Sequence, residues 1–451
     1  MRWLLSRSPY LIVALAVAAG FLYVHMFGVN VVWNDEWDMA SLFTKLSSGR
    51  LTVFDLWEPH NEHRFFFPSI AILLLGTLTK WNTVAEMYAI QACLLITLLA
   101  LLVALRAYIG ARPLFFVPTA FLTFSLLQRF NMLWGLQLTF FFVETFAVVA
   151  LFFLYTLGHG RFKWLAFPAA LLSGTIAAFS VVQGLLVWPV GLLQLFYTPI
   201  EKAKKWLFLV LWGTIGVGEW VIYFIDYPAH PNSPSVFYPL THPLTGARYF
   251  LTLLGTSLFS PRSESFAFAS GLVLASLIVG SLYLTYRHRR EGDSSFWLAL
   301  LLYSLLVLAA ITAGRSGAQD VPVQRYTNFS ILVAVSVYAL LAKSVLEERS
   351  RSAIAMFGTL CAVMLLSIPV SYYGGIKEGD HFKTNREQAA YVLSTYTTQS
   401  DRCLELLRRK NTDNLRRLAP QLEKLGYNVF AEPRVSPPAF GKLTKQCRRL
   451  R

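Results

Sequence analysis

Charge is the scarcest property of this sequence. Asp, Glu, Lys and Arg make up 14% of its 451 residues, against about 25% in a soluble globular domain. That deficit excludes a water-soluble fold of this size. Cysteine is scarce too: the chain has four, and none has the paired spacing of a structural zinc site. A disulfide-dense scaffold is therefore excluded. Cys93 and Cys361 lie in apolar runs and read as inert packing residues. No phosphate-cradling glycine loop, dinucleotide fingerprint or internal repeat is present, which removes the usual sequence signs of nucleotide binding and of repeat-built transporters.

What remains is mostly hydrocarbon. The chain is 55% hydrophobic and 15% aromatic, with a mean hydropathy of +0.50. Its long apolar runs predict an all-α polytopic membrane protein with about eleven transmembrane helices, each of about 20 residues. The expected spans are 8–30, 83–108, 113–129, 136–157, 163–180, 184–199, 204–226, 264–286, 295–314, 326–346 and 353–373. The net charge of +15 would suggest nucleic acid in a soluble chain. Here it reads as the excess of Lys and Arg that marks cytoplasmic loops. Arg106 and Arg112, Arg161 and Lys163, Lys202 with Lys204 and Lys205, Arg287 with Arg289 and Arg290, and Lys343 with Arg349 and Arg351 all fall on one side of that threading. Membrane lipids are the expected partners and nucleic acid is not. The first run follows Arg2 and Arg7 and lacks a small-residue cleavage site. It reads as an uncleaved helix with a cytoplasmic N-terminus in a bacterial inner (plasma) membrane.

Phe65–Thr79 is apolar but short, with Pro68 near its start. As a span it would invert every basic loop after it, so it is expected to lie at the interface, with Lys80 and Trp81 at headgroup depth. The odd span count puts residues 374–451 outside the cytoplasm as a small soluble tail. A transmembrane unit, 1–373, then carries an external loop, 31–67. The tail holds 16 basic and 8 acidic residues, against the charge rule, which weakens far from the membrane. Asn414–Leu425 has helical apolar spacing, Tyr427–Phe430 reads as a short strand, and Pro433, Pro437 and Pro438 end regular structure beyond it.

Chemistry is expected in the loop behind the first helix, where Asn34-Asp35-Glu36-Trp37-Asp38 is followed by His60-Asn61-Glu62-His63-Arg64. The carboxylates Asp35, Glu36 and Asp38 could serve as bases, bind a metal or simply solvate a helix end. Trp33 and Trp37 should hold them at headgroup depth. His60 and His63 lack the H-E-x-x-H geometry of zinc peptidases, and with Arg64 they suit a phosphate better. A divalent cation stays open as a cofactor. In the loop 314–325, Arg315 and Arg325 could bind an anionic headgroup or a substrate phosphate, or anchor a helix end. Glu144 and Glu219 fall inside spans. Glu219 is expected to be a protonated group bonded between helices, and Glu144 stays open.

The order of these parts resembles the GT-C superfamily of membrane glycosyltransferases, which use polyprenyl-phosphate-linked sugars. It looks most like the protein-mannosyltransferase and aminoarabinose-transferase branch. The matching elements are a first helix, the acidic pair Asp35-Glu36, an amphipathic stretch 38–48, Gly49-Arg50, a proline-started interfacial helix and a second span ending in Arg. Two departures stand out. The next external turn, Arg129-Phe-Asn131-Met-Leu-Trp134-Gly-Leu-Gln137, has no acid, and Ser180-Val-Val-Gln183 stands where a Lys is common. The resemblance implies an inverting transferase that takes its sugar from a polyprenyl-phosphate donor. The acceptor would be an envelope glycan, lipid or protein. Asp35 would be the base, and Glu36 or Asp38, with Glu62, would orient the acceptor or a metal. Arg325, Arg315, Arg64, His63 and His60 would bind the donor phosphate. A lipid-linked glycan flippase and a non-catalytic assembly protein are the competing readings.

Cys403 and Cys447 both fall in the tail and are expected to pair in an oxidising compartment. The threading itself is tested with single cysteines at Ser47 and Ser436. An impermeant thiol reagent should label both in intact spheroplasts, and labelling only after lysis would overturn the topology.

Overall fold

The structure, a computed structural model, describes residues 2–159, 163–227, 235–287, 294–408 and 411–431. Among these the chain is all α, with no β-strand and one isolated bridge between His60 and His63. Among the described residues nine helices are long and apolar enough to cross a membrane, so it is an integral, polytopic membrane protein. The expected count of eleven differs because two apolar runs form shorter helices, Leu165–Ala178 and Val182–Tyr197. The break between them is local. A 3-10 turn spans Val182–Leu186, and a Cβ on Gly184 would collide with the Ala177 backbone.

The elements around the polar loop obey short-range rules. Helix α1 (Arg2–Phe27) leads through Asn34, whose φ is +53°. Helix α2 (Glu36–Ser47) then buries Trp37, Met39, Ala40, Leu42 and Phe43 along one face. Helix α3 (Val53–Trp57) starts in a capping box, with the Thr52 and Asp55 side chains satisfying each other's backbone amides. Helix α4 (Phe66–Thr79) has 14 residues, so it is about 21 Å long, short of a hydrocarbon core of about 30 Å. It ends where Lys80 and Trp81 turn to positive φ. Helix α5 (Thr83–Ile109) begins at Asn82, which accepts from the Val84 amide, and stops at Gly110 with φ +81°.

Burial sorts the long helices. In Gln324–Glu348, 83% of the apolar window is buried, against 28% in Ser8–Phe27 and in Lys202–Phe224. The first is the centre of the bundle, and the other two present apolar side chains outward. At one end, Tyr108 bonds Ser294 and the Lys343 ammonium donates to the Tyr108 carbonyl. The polar loop, the turn 129–137 and the tail meet at the other end, the loop face.

The final long helix, Arg351–Ser394, has 44 residues and passes through position 374 without a break. At about 66 Å it is twice as long as the hydrocarbon core is thick, and its end carries the tail onto the loop face. There Thr412–Leu425 is a helix, as its spacing predicts. The expected strand Tyr427–Phe430 is instead a 3-10 turn over Asn428–Ala431, because Asn428 takes φ +57°, which a strand does not allow. Its buried side chain accepts from the Val32 amide at 3.1 Å and donates to Asn30 at 2.6 Å and to the Trp81 carbonyl at 3.1 Å. Phe43 packs between Trp81 and Tyr427. Cys403 is buried and disulfide-bonded. Cys447, the expected partner, and Pro433, Pro437 and Pro438 lie outside the described residues.

Asn428 therefore pins the tail to the start of the loop. Asn428→Ala leaves buried groups unpaired at about 1–3 kcal/mol each. It should lower the melting temperature and speed proteolysis between 395 and 431, and wild-type values for both would contradict this role.

Candidate functional site

The site is built on a buried carboxylate. Glu36 is 2% exposed. One of its oxygens accepts from the Trp33 amide at 2.8 Å and the other from the Leu136 amide at 3.1 Å. It thus ties the segment between α1 and α2 to the turn 129–137. Trp33 lies edge-on to Trp134, with centroids 4.9 Å apart, and to Phe130 at 6.3 Å. Arg386, from the last long helix, covers the Trp33 ring at 3.3 Å. Burial pushes the Glu36 carboxyl up to about 7, and Asp35 adds to this. The Trp33 and Leu136 amides and Arg386 pull the other way. A second buried acid, Glu86, accepts from the Trp81 indole at 3.0 Å. Gly135 separates the two: a Cβ there would collide with Glu86 and stand 3.1 Å from Glu36.

Asp35 behaves differently from its neighbour. It is the N-cap of α2, yet its half-buried side chain makes no capping bond. Among the described residues its carboxylate holds no hydrogen-bond or ion-pair partner. Asp38, one turn on, is paired with Arg408 at 2.8 Å and with the His60 imidazole at 3.3 Å. Of the three expected acids, one is buried in the backbone, one is ion-paired and one is left open.

The second polar cluster is drawn in by different bonds. His60 and His63 exchange backbone hydrogen bonds and flank Phe65. His63 is buried, and desolvation pushes its imidazole down to about 3 despite the pull of Glu62. It is neutral near pH 7, which removes the positive charge expected of it. Burial raises the Glu62 carboxyl, but Arg315, at 3.1 Å, acting together with His63 and a backbone amide, brings it below its usual range. Arg64, expected at a phosphate, is committed to the backbone. Its guanidinium donates to the Tyr223, Trp57 and Ile225 carbonyls and lies over the Trp57 ring at 4.8 Å. It caps the helix Lys202–Phe224 rather than presenting free donors.

Arg325 has the opposite environment. It is half-buried, its backbone carbonyl accepts from Asn131 at 3.0 Å, and its guanidinium faces the Tyr326 ring at 5.8 Å. Among the described residues it holds no carboxylate. Other arginines on this face are spent: Arg129 and Arg262 share Glu378, at 2.6 and 2.7 Å.

Among the described residues no group of three or more His, Cys, Asp or Glu side chains is arranged to hold a metal ion. Glu144 accepts from Asn328 at 2.9 Å, and Glu219 accepts from Thr175 at 2.7 Å and from Trp188 at 3.0 Å. Both are satisfied between helices. Sequence reasoning misses Glu86, Arg386 and Arg408. Glu86 carries a faint signal as an acid in the first turn of a long apolar helix. The two arginines carry none, because their partners are hundreds of positions away.

No family model matches this sequence. An uncharacterized protein of Archaeoglobus fulgidus is 26% identical over 230 residues, 46% of this chain and 57% of that protein. The chain thus spans a little over half of that relative. A crystal structure of ArnT from Cupriavidus metallidurans bound to undecaprenyl phosphate aligns at TM-score 0.42 with 14% identity. The alignment covers 94% of this chain and 75% of that one.

The buried carboxylate has a pH consequence. The folded protein holds the Glu36 proton near pH 7, while its ordinary value is 4.5. Stability from the protonated form is complete below pH 4.5 and is lost as pH rises through about 7. The depressed His63 imidazole contributes a rise in stability up to about pH 6.5, and against it Glu36 contributes a fall between pH 5 and pH 8 on the order of 3 kcal/mol, read from the melting temperature. Glu36→Gln should flatten that slope, and an unchanged slope in this variant would assign it to other groups.

Proposed function

We propose that this protein is an integral-membrane glycosyltransferase, moving a sugar from a polyprenyl-phosphate donor to an acceptor at the loop face, on the extracytoplasmic side. One observation carries the reading. The turn 129–137 bridges an open carboxylate and an open guanidinium: Phe130 and Trp134 pack on Trp33, two residues before Asp35, and Asn131 holds the Arg325 carbonyl. A lipid-linked sugar presents its phosphate at headgroup depth, and its transfer needs a base near the acceptor and a cation near the leaving group.

In this mechanism Asp35 takes the proton of an acceptor hydroxyl. The acceptor oxygen bonds to the anomeric carbon as the bond from that carbon to the phosphate oxygen breaks. The electron pair leaves with the polyprenyl phosphate, and a single displacement inverts the anomeric centre. Arg325 receives the phosphate, since its planar fork stays charged and binds two oxygens. Arg315, fixed by Glu62, adds positive field. Glu36 holds the backbone under Asp35 in place.

Asp35→Asn keeps the shape and removes the base, so turnover should fall about 100-fold or more with the melting temperature unchanged. Near-normal turnover would remove Asp35 from this role. Arg325→Lys should weaken catalysis although it keeps the charge, and Arg325→Ala should do so more severely. Wild-type donor affinity and turnover in both would make Arg325 a lipid anchor, for which either cation serves.

A further inference from the structure

The polar loop and the tail enclose a second feature that the transfer chemistry leaves unused. A cavity of about 360 Å³ lies between α2, α3, the bend Pro59–Asn61 and the tail helix Thr412–Leu425. This is within the range of about 300–1,000 Å³ usual for small-molecule sites. Its near wall is the Asp38 and Ser41 side of α2, and Asp38 is one turn from Asp35. Asp55 and Glu58 line another wall, and Asn414 and Arg417 reach in from the tail. Leu42 and Phe65 supply apolar surface.

The geometry points to this cavity as the acceptor site, taking an uncharged saccharide. The inference deepens the glycosyltransferase reading and rests on it. Charge selects the class. Asp38 is neutralised by Arg408, and Asp55 by Lys45 at 2.6 Å. Both keep oxygen lone pairs, as Glu58 does, and carboxylates accept hydrogen bonds from hydroxyl groups. Donors come from Arg417, which itself bonds Asn414 at 2.7 Å. With Asp38 and Asp55 paired in this way, Glu58 and Arg417 leave the lining close to charge balance, which favours an uncharged ring over an ionic headgroup. The mixed lining of acceptors, donors and apolar carbon suits a ring that carries hydroxyls on its edge and C–H bonds on its face. A lipid chain would find too many polar walls. The position suits an acceptor because one helical turn separates the cavity wall from the proposed base.

The test uses the full-length protein in nanodiscs, with saturation-transfer NMR on maltose, glucosamine and glucuronate. Maltose should give the strongest signal, with glucosamine and glucuronate both weaker. Ser41→Trp fills the cavity and Arg417→Ala removes an exposed donor. Each should weaken maltose binding by about tenfold or more, as expected for the loss of one or two hydrogen bonds or of the space itself. Unchanged melting temperatures in both variants establish that the fold is kept. Equal maltose binding in wild type and Ser41→Trp, stronger glucuronate binding, or no signal from any of the three would overturn the proposal. The two readings fail separately: normal donor turnover in Asp35→Asn removes the base, whereas unchanged maltose binding in Ser41→Trp, read without turnover, removes the cavity.

Discussion

The loop face depends on the two backbone bonds made by the buried Glu36 carboxylate. A carboxylate taken out of water is costly unless its oxygens are hydrogen-bonded. Glu36 meets that condition only if Trp33 and Leu136 keep their amides turned toward it. The constraint therefore runs outward, fixing the segment between α1 and α2 and the turn at Gly135 together. Trp33 in turn offers its ring to Arg386 and its indole N–H to the Leu406 carbonyl. Asp35 is left as the first residue outside this arrangement, with its backbone held and its side chain open.

Electrostatic pairing divides the remaining charges into support and function. Arg64 is committed to three carbonyls at a helix end, and Arg129 and Arg262 to one glutamate. Asp38 is committed to Arg408 and His60. These bonds close the loop face, where a buried unpaired charge is expensive. Open charges in such a setting are functional candidates. Asp35 and Arg325 are of opposite sign and are attached to the same short turn. The tail completes the arrangement: it brings Arg408 to Asp38 and roofs the polar cavity with Asn414 and Arg417.

Much of this is legible in the sequence where the determining interactions are local. The acidic triplet, the amphipathic α2 and the tail helix Thr412–Leu425 come from periodicity and caps. Hydropathy cannot tell spans from the short helices Leu165–Ala178 and Val182–Tyr197. The break between them depends on Gly184 touching the Ala177 backbone, a contact that no apolar window registers. The Tyr427–Phe430 alternation is too brief to fix a strand, and the bonds of Asn428 to residues 30, 32 and 81 decide its backbone. The distinction between Asp35 and Glu36 is also hidden. Adjacent acids look alike until the turn 129–137 supplies an amide to one of them. Arg64 and His63 read as phosphate ligands because sequence does not report burial.

The central claim is tested most directly by incubating the purified protein in nanodiscs with a polyprenyl-phosphate sugar and a saccharide acceptor, then monitoring phosphorus and anomeric-proton NMR signals. The account predicts free polyprenyl phosphate together with a glycoside of inverted anomeric configuration. An intact donor, or a product that retains configuration, would contradict it.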